Sequence, residues 1–296
     1  METLDDLKKV LETSESIKQV VSTMKTLSSA NIKKYEKAVK MLYAYRSNIE
    51  LGLQAIMAYG ENINENALRY FKNSNGDNDL IIVFGSNQGL CGRFNDRVVN
   101  FVYEDILDNL KNTRVITVGE RLNMLLSIKN VNIIKNISLP TSIENVSNTI
   151  YEILQMVEDE IKLQKSDNVF LYYTSNDDTS NGSLTKDRLI PIDKKVLEKA
   201  KNKVWLTNNI PYWQVDTKEL LSDLLEQYIF LLLSNALINS ISSEQKNRLI
   251  TLQSAEKNIN DLVKDKKLKY NQKRQSIITS ELLDVITGYN TSKDSN

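Results

Sequence analysis

Apolar side chains recur every three or four residues along the first fifty positions. Leu4, Leu7, Leu11, Ser14, Ile17, Val21, Met24, Ser28, Ile32, Tyr35, Val39, Leu42, Tyr45 and Ile49 fall on one face of a helix. Ser14 and Ser28 are small members of that face and would let a partner helix come close. Thr3 with Asp6 reads as a capping box that starts the helix. The other end of the chain repeats the pattern. A strict three-four step from Leu221 lands on an apolar residue at 11 of 19 positions (Leu221, Leu224, Tyr228, Leu231, Ile238, Leu249, Leu252, Ile259, Val263, Tyr270 and Ile277), with Asp216 and Glu219 as a cap-like start. Gly288 stands where a glycine would close the helix. Residues 1–51 and 212–287 contain neither Gly nor Pro. Helix interiors exclude Pro at about 3 kcal/mol and Gly at about 1 kcal/mol, so two very long helices are predicted. Seventy-odd residues of helix reach about 100 Å, which no compact domain of this size spans. Each such helix needs a partner for its stripe. The nearest partner is the other one, in an antiparallel coiled coil.

Between them the period changes. Residues 79–86, 114–119 and 168–175 are short runs rich in β-branched and aromatic residues, and 131–137 and 184–192 are weaker runs of the same kind. Val98, Val102, Ile106 and Leu110 form one helical stripe. Ile143, Val146, Ile150, Leu154, Val157 and Ile161 form another, with Thr141 and Glu144 as its capping box. Strands alternating with helices predict a mostly parallel sheet covered by helices. The fold class is therefore α/β (α+β overall): a coiled coil of long terminal helices with an inserted Rossmann-like α/β domain. Its parts are a helix over 1–70, the α/β domain over 76–208, the second helix over 211–288 and a frayed polar tail over 289–296.

Composition narrows the chemistry. The 296 residues contain no histidine and one cysteine, Cys91. That removes Ser–His and Cys–His nucleophiles, an internal disulfide and nearly all zinc sites. Lys plus Arg and Asp plus Glu are both 38, so the chain lacks the basic excess of a nucleic-acid binder. The start of the chain has no apolar core of a signal peptide. The greasiest segment, 224–241, is interrupted by Glu226, Asn235 and Asn239, and no transmembrane segment is expected from it.

Few residues carry candidate chemistry. Gly85, Gly89 and Gly92 lie in a strand-to-helix turn where a phosphate could bind, but their spacing is neither the dinucleotide nor the P-loop pattern. A turn without ligand is the better reading. Cys91 beside Arg93 has no general base and reads as structural. Asp177, Asp178 and the run Glu158, Asp159, Glu160 match no calcium loop. Residues 257–274 carry seven positive and two negative charges, which is either a solvated face or a surface for an acidic partner. No catalytic residue, cofactor or metal is assigned. A nucleotide-binding α/β enzyme with a coiled-coil arm and a structural coiled-coil adaptor both remain open at this point.

Longer motifs bring in a family. Residues 243–258, SEQKNRLITLQSAEKN, resemble the ASEQxxRMxAMxxATxN motif of the gamma subunit of F-type ATP synthases. Residues 270–288, YNQKRQSIITSELLDVITG, resemble that family's YNxxRQxxITxELxEIxxG ending. The turn at 85–95 resembles its SDRGLCGGFN, and residues 17–25 are similar to its IxKITxAM segment. The beginning of the chain is similar to the alternate N-type rotary branch, which is proposed to pump sodium.

The resemblance implies a rotor shaft: a coiled coil turning inside a ring of alpha and beta subunits, with the epsilon subunit and the c-subunit ring at its foot. Nucleic acid is not among the implied partners. The implied location is the cytoplasmic face of the bacterial plasma membrane, as a peripheral part of the complex. Met24, Lys25, Arg248, Lys273, Arg274, Gln275, Thr279 and Glu281 match positions that contact the catalytic head. Leu282, Leu283 and Ile286 match the apolar tip that turns in the apical bearing. In the same reading Leu249, Leu252, Ile259 and Val263 pack the shaft. Two departures stand out. Arg93 replaces the second glycine of GGFN, and Asn87-Gln88 replaces Asp-Arg. The family's redox insertion, with its cysteine pair, is missing.

Overall fold

A computed structural model of the chain describes residues 3–60, 78–163, 165–175, 182–193, 195–202, 205 and 209–293. The candidate acidic residues Asp177 and Asp178 lie outside these. The terminal helices are α1 (Leu4–Tyr59) and α6 (Thr217–Lys293). Between them run β1 (Asp79–Phe84), α2 (Phe94–Ile106), β2 (Thr113–Val118), α3 (Glu120–Ser127), β3 (Ile133–Ile137), α4 (Val146–Lys162), β4 (Asn168–Ser175), β5 (Ser183–Ile190) and α5 (Lys195–Asn202). Contacts divide the chain into two compact units, 1–28 with 249–296, and 29–248. The division cuts across both long helices rather than falling at the ends of the sheet domain.

The first unit is a helix pair. Thr3 and Asp6 start α1 as a capping box: Thr3 N–H donates to Asp6 Oδ2 at 2.8 Å and Asp6 N–H to Thr3 Oγ1 at 3.1 Å. Lys25 Nζ meets Glu256 at 2.5 Å, and the charge of Lys273 is felt at Asp6, so the helices run antiparallel. The buried side chains of α1 here are Leu7, Ser14, Val21 and Ser28, spaced strictly by seven. A seven-residue seam implies a left-handed supercoil. Ile17, expected on the stripe, is 49% exposed. Two helices bury only one narrow seam, and positions beside it keep open surface. On α6 the seam runs through Leu252, Ala255, Ile259, Val263, Lys266, Tyr270 and Lys273. From Arg274 to Thr287 every side chain is exposed. The helix does not stop at Gly288 but continues to Lys293. One glycine costs only about 1 kcal/mol in a helix, too little to end one that its flanks favour.

The second unit is a five-stranded sheet in the order β3-β2-β1-β4-β5. β1 to β4 are parallel, and β5 returns antiparallel beside β4. Strand residues alternate between two cores, as period two demands. Leu80, Ile82, Phe84, Ile116, Val118, Val169 and Leu171 face α1, α4, α5 and α6. Ile81, Val83, Val115 and Tyr172 face α2 and α3. The cap of the α4 region is Ser142 rather than Thr141: the extended backbone at Ser142 leads into a short 3-10 turn, and Glu144 hydrogen-bonds back to Ser142. Asp216 starts α6, its Oδ1 accepting from Lys218 N–H at 2.8 Å. By length and average hydropathy a stretch of α6 would qualify to cross a membrane, despite its interrupted apolar run. Leu221, Leu225, Ile229, Leu233, Leu237 and Ile241 are buried in the core of this unit, which accounts for that apolar content.

Candidate functional site

The glycine turn is built as a structural joint. Asn95, on the first turn of α2, accepts from Ser86 N–H at 3.0 Å and donates to Ser86 Oγ at 2.8 Å. Asn87 Oδ1 accepts from Leu139 N–H at 3.0 Å, and its amide donates to the Leu139 carbonyl at 3.1 Å. An aspartate at 87 could only accept, so this departure from the family pattern gains a donor. Gly92 takes the positive φ of 61°. Arg93 has φ −88°, which any residue adopts, so its replacement of a glycine costs no backbone strain. Cys91 is buried, and burial followed by the nearby Glu244 charge pushes its thiol up, away from nucleophilic character. Asn95→Ala should leave the buried Ser86 N–H unpaired and lower stability by about 1–3 kcal/mol. Urea unfolding against wild type checks this; an unchanged midpoint would refute it.

Beside the turn, α6 crosses the carboxyl ends of β1 and β4. Ser240 Oγ donates to the Phe84 carbonyl at 3.4 Å and Ser243 Oγ to the Ser175 carbonyl at 3.0 Å. Arg248 Nη2 donates to the Gly89 carbonyl at 3.3 Å. The same nitrogen lies 2.5 Å from Glu244 Oε1 but off the angle of a directed hydrogen bond, so the two form an ion pair. Glu244 is 3% exposed. Burial pushes its carboxyl up to about 7, against the lowering pull of Arg248 and of Gln245. The unfolded chain holds this proton less tightly than the fold does. Stability from this group is thus fully present below about pH 4.5 and is lost as pH rises to about 7, by an amount on the order of a few kcal/mol. Glu244→Gln should flatten this part of the pH–stability curve; a retained slope would assign it elsewhere. In an open sheet of this order, ligands bind at the crevice where strand order reverses, here between β1 and β4. α6 occupies that crevice, which counts against a nucleotide site there.

The sequence-derived contact residues separate into three groups. Lys273, Arg274, Gln275, Thr279 and Glu281 lie on α6 toward its end, with Leu282, Leu283 and Ile286 just beyond. Lys273 is half-buried at the last seam position; the rest are exposed. Thr279 Oγ1 donates to the Gln275 carbonyl at 2.8 Å. Met24 and Lys25 are half-buried on α1, and Lys25 is paired with Glu256 rather than held outward. Arg248 stands apart from both groups. It is 9% exposed and directed at the glycine turn, because its guanidinium has an internal carboxylate and carbonyl to satisfy. The acidic run on α4 is also engaged internally: Glu158 pairs with Lys162 and Glu160 with Arg114. Sequence reasoning assigned no role to Ser240, Ser243 or Glu244. The available signal was a cluster of small hydroxyls (Ser234, Ser240, Ser242, Ser243) inside an otherwise apolar helix.

Comparison with known proteins agrees with this architecture. The ATP synthase family model matches residues 3–291. The chain is 28% identical over 293 residues to the ATP synthase gamma chain of Christiangramia forsetii, with 97% of this chain and 98% of that one covered. It is 28% identical over 278 residues to the ATP synthase gamma chain of Clostridium kluyveri, covering 92% and 94%. Among solved structures, the rotor of the Euglena gracilis mitochondrial ATP synthase shares the fold. Its TM-score is 0.64 at 17% identity, over 93% of this chain and 98% of that chain. By a family match that runs nearly end to end, the chain belongs to the ATP synthase gamma chain family.

Proposed function

We propose that this chain is the central-stalk rotor of a bacterial F-type ATP synthase. It couples ion flow through the membrane ring to ATP synthesis or hydrolysis in the catalytic head. The observation that carries the reading is the end of α6. From Arg274 to Thr287 it is a helix without a buried side chain, and Ile278, Leu282, Leu283, Val285 and Ile286 expose apolar surface on it. Such surface calls for a partner that encloses the helix. A sleeve of alpha and beta subunits is that partner: Met24, Lys25, Arg248, Lys273, Arg274, Gln275, Thr279 and Glu281 meet the catalytic subunits, and Leu282, Leu283 and Ile286 turn in the bearing. The chain itself is non-catalytic. It works as an asymmetric shaft that drives three catalytic sites through different conformations. It belongs with the epsilon subunit and the c ring at the cytoplasmic face of the plasma membrane, as a peripheral component.

Native mass spectrometry after co-expression with the head subunits tests this. One copy with three alpha and three beta subunits is expected. A homodimer, or a monomer that ignores the head, would overturn it. The charged stretch makes a second test. Ion pairs at the surface are worth only about 0–1 kcal/mol each, so Lys273→Glu, at the half-buried end of the seam, and Arg274→Glu, at the exposed position beside it, are combined. The double variant should pump fewer ions per ATP hydrolysed, and unchanged pumping would remove these two residues from the contact.

A further inference from the structure

We infer that Ser240, Ser243 and Arg248 form a clamp that fixes the rotational phase of α6 on the sheet, with the helix held in the crevice as a built-in ligand. The inference rests on the rotor reading above. Ser240 and Ser243 are three residues apart and neighbour each other on α6, and Arg248 follows on the next turn, so the three donors spread over a broad arc of the helix. Their three acceptors, the carbonyls of Phe84, Ser175 and Gly89, are all main chain. They sit at the end of β1, the end of β4 and the turn after β1, so two belong to strands of the sheet and the third to the glycine turn joined to it. Ser240 and Ser243 are no more than 1% exposed. A side chain at Gly182 would start 2.8 Å from Ser243 Oγ, so the glycine leaves this contact its space.

Geometry separates this clamp from the surrounding apolar core. Apolar packing buries α6 and restrains it through side-chain shape, without aiming it at particular atoms. Hydrogen bonds weaken steeply once the donor swings off line. Three of them, to two strand ends and the glycine turn, resist rotation of the helix about its axis. A rotor needs that resistance where its α/β unit holds its shaft helix. These three are positioning residues: they touch no nucleotide and act through the angle at which α6 is held.

The test uses the assembled complex. The head is fixed to glass, and a bead is attached through a cysteine introduced at the exposed Asp108; Cys91 is buried and does not compete for the label. The angular variance of the bead is read during catalytic pauses. Ser240→Ala with Ser243→Ala removes two hydrogen bonds without adding volume, and should raise the variance at least twofold. Ile153→Val, a core change in the same unit, should leave it unchanged at a comparable loss of thermal stability. If the double variant does not assemble, Ser243→Ala alone is read in the same way. Unchanged variance in complexes that contain one copy of the variant would overturn the clamp and leave the rotor reading standing. An equal rise in Ile153→Val would also overturn the clamp. Failure of the wild-type chain to enter the complex would overturn both.

Discussion

Gly119→Ala should destabilise the α/β unit by about 3–5 kcal/mol, more than any surface change in the chain. Gly119 joins β2 to α3 at φ 125°, a backbone conformation that costs other residues about 1–3 kcal/mol. An added Cβ would also meet the backbone of Ser86, with its N, C and O at 2.8–2.9 Å. Ser86 has little freedom to yield. Its N–H is held by Asn95, and its carbonyl accepts from Arg121 N–H at 2.9 Å. Overpacking against a fixed group costs about 1–3 kcal/mol more. Gly89 is the matched control. Nothing lies within 4 Å of a Cβ there, and its φ is not in the left-handed range. Gly89→Ala should therefore stay within about 0.5 kcal/mol of wild type. Hydrogen exchange at the β1 and β2 amides reads the difference locally. Equal protection in the two variants would refute the argument.

That contrast marks how far the sequence could be read. Gly85, Gly89 and Gly92 stood out as one motif, yet they do different work. Gly85 makes room for Leu122, Gly92 supplies a left-handed turn, and Gly89 offers its carbonyl to Arg248. Spacing alone does not distinguish these uses, and Gly119 carried no motif. The long helices were legible because Gly and Pro are absent over dozens of residues and apolar residues keep returning to one face, without a gap in the first helix and with interruptions in the second. β1, β2 and β4 were legible because they are buried on both faces and read as continuous apolar runs. β3 and β5 are edge strands with exposed positions, so their runs were fainter. The end of α6 was misplaced because a single glycine is a weak stop. The burial of Arg248 was not legible, because arginine is rarely buried and here it depends on Glu244 one turn earlier and on a carbonyl 159 residues away. Only tertiary structure brings that second partner to it.

Leu252→Gly should unfold the helix pair locally, at a cost of about 3–5 kcal/mol. Leu252 is 1% exposed. Counting back along α6 from the Lys25–Glu256 pair places it opposite Ser28, which is also buried. A small residue facing a large one is how two helices approach closely. Removing the leucine side chain costs about 2–5 kcal/mol as a cavity, and glycine adds about 1 kcal/mol of helix propensity. Leu252→Ala separates the two contributions and should recover about 1 kcal/mol. Leu262→Gly, at a position 44% exposed, should cost only the propensity. Hydrogen exchange over residues 249–263 measures the local opening, and ATP-driven ion pumping measures its consequence. A shaft whose seam opens twists under load instead of passing the load on. Pumping should therefore fall further than hydrolysis in Leu252→Gly, and both should hold in Leu262→Gly. Equal losses in the two glycine variants would mean that helix propensity, not the packed seam, keeps the shaft stiff.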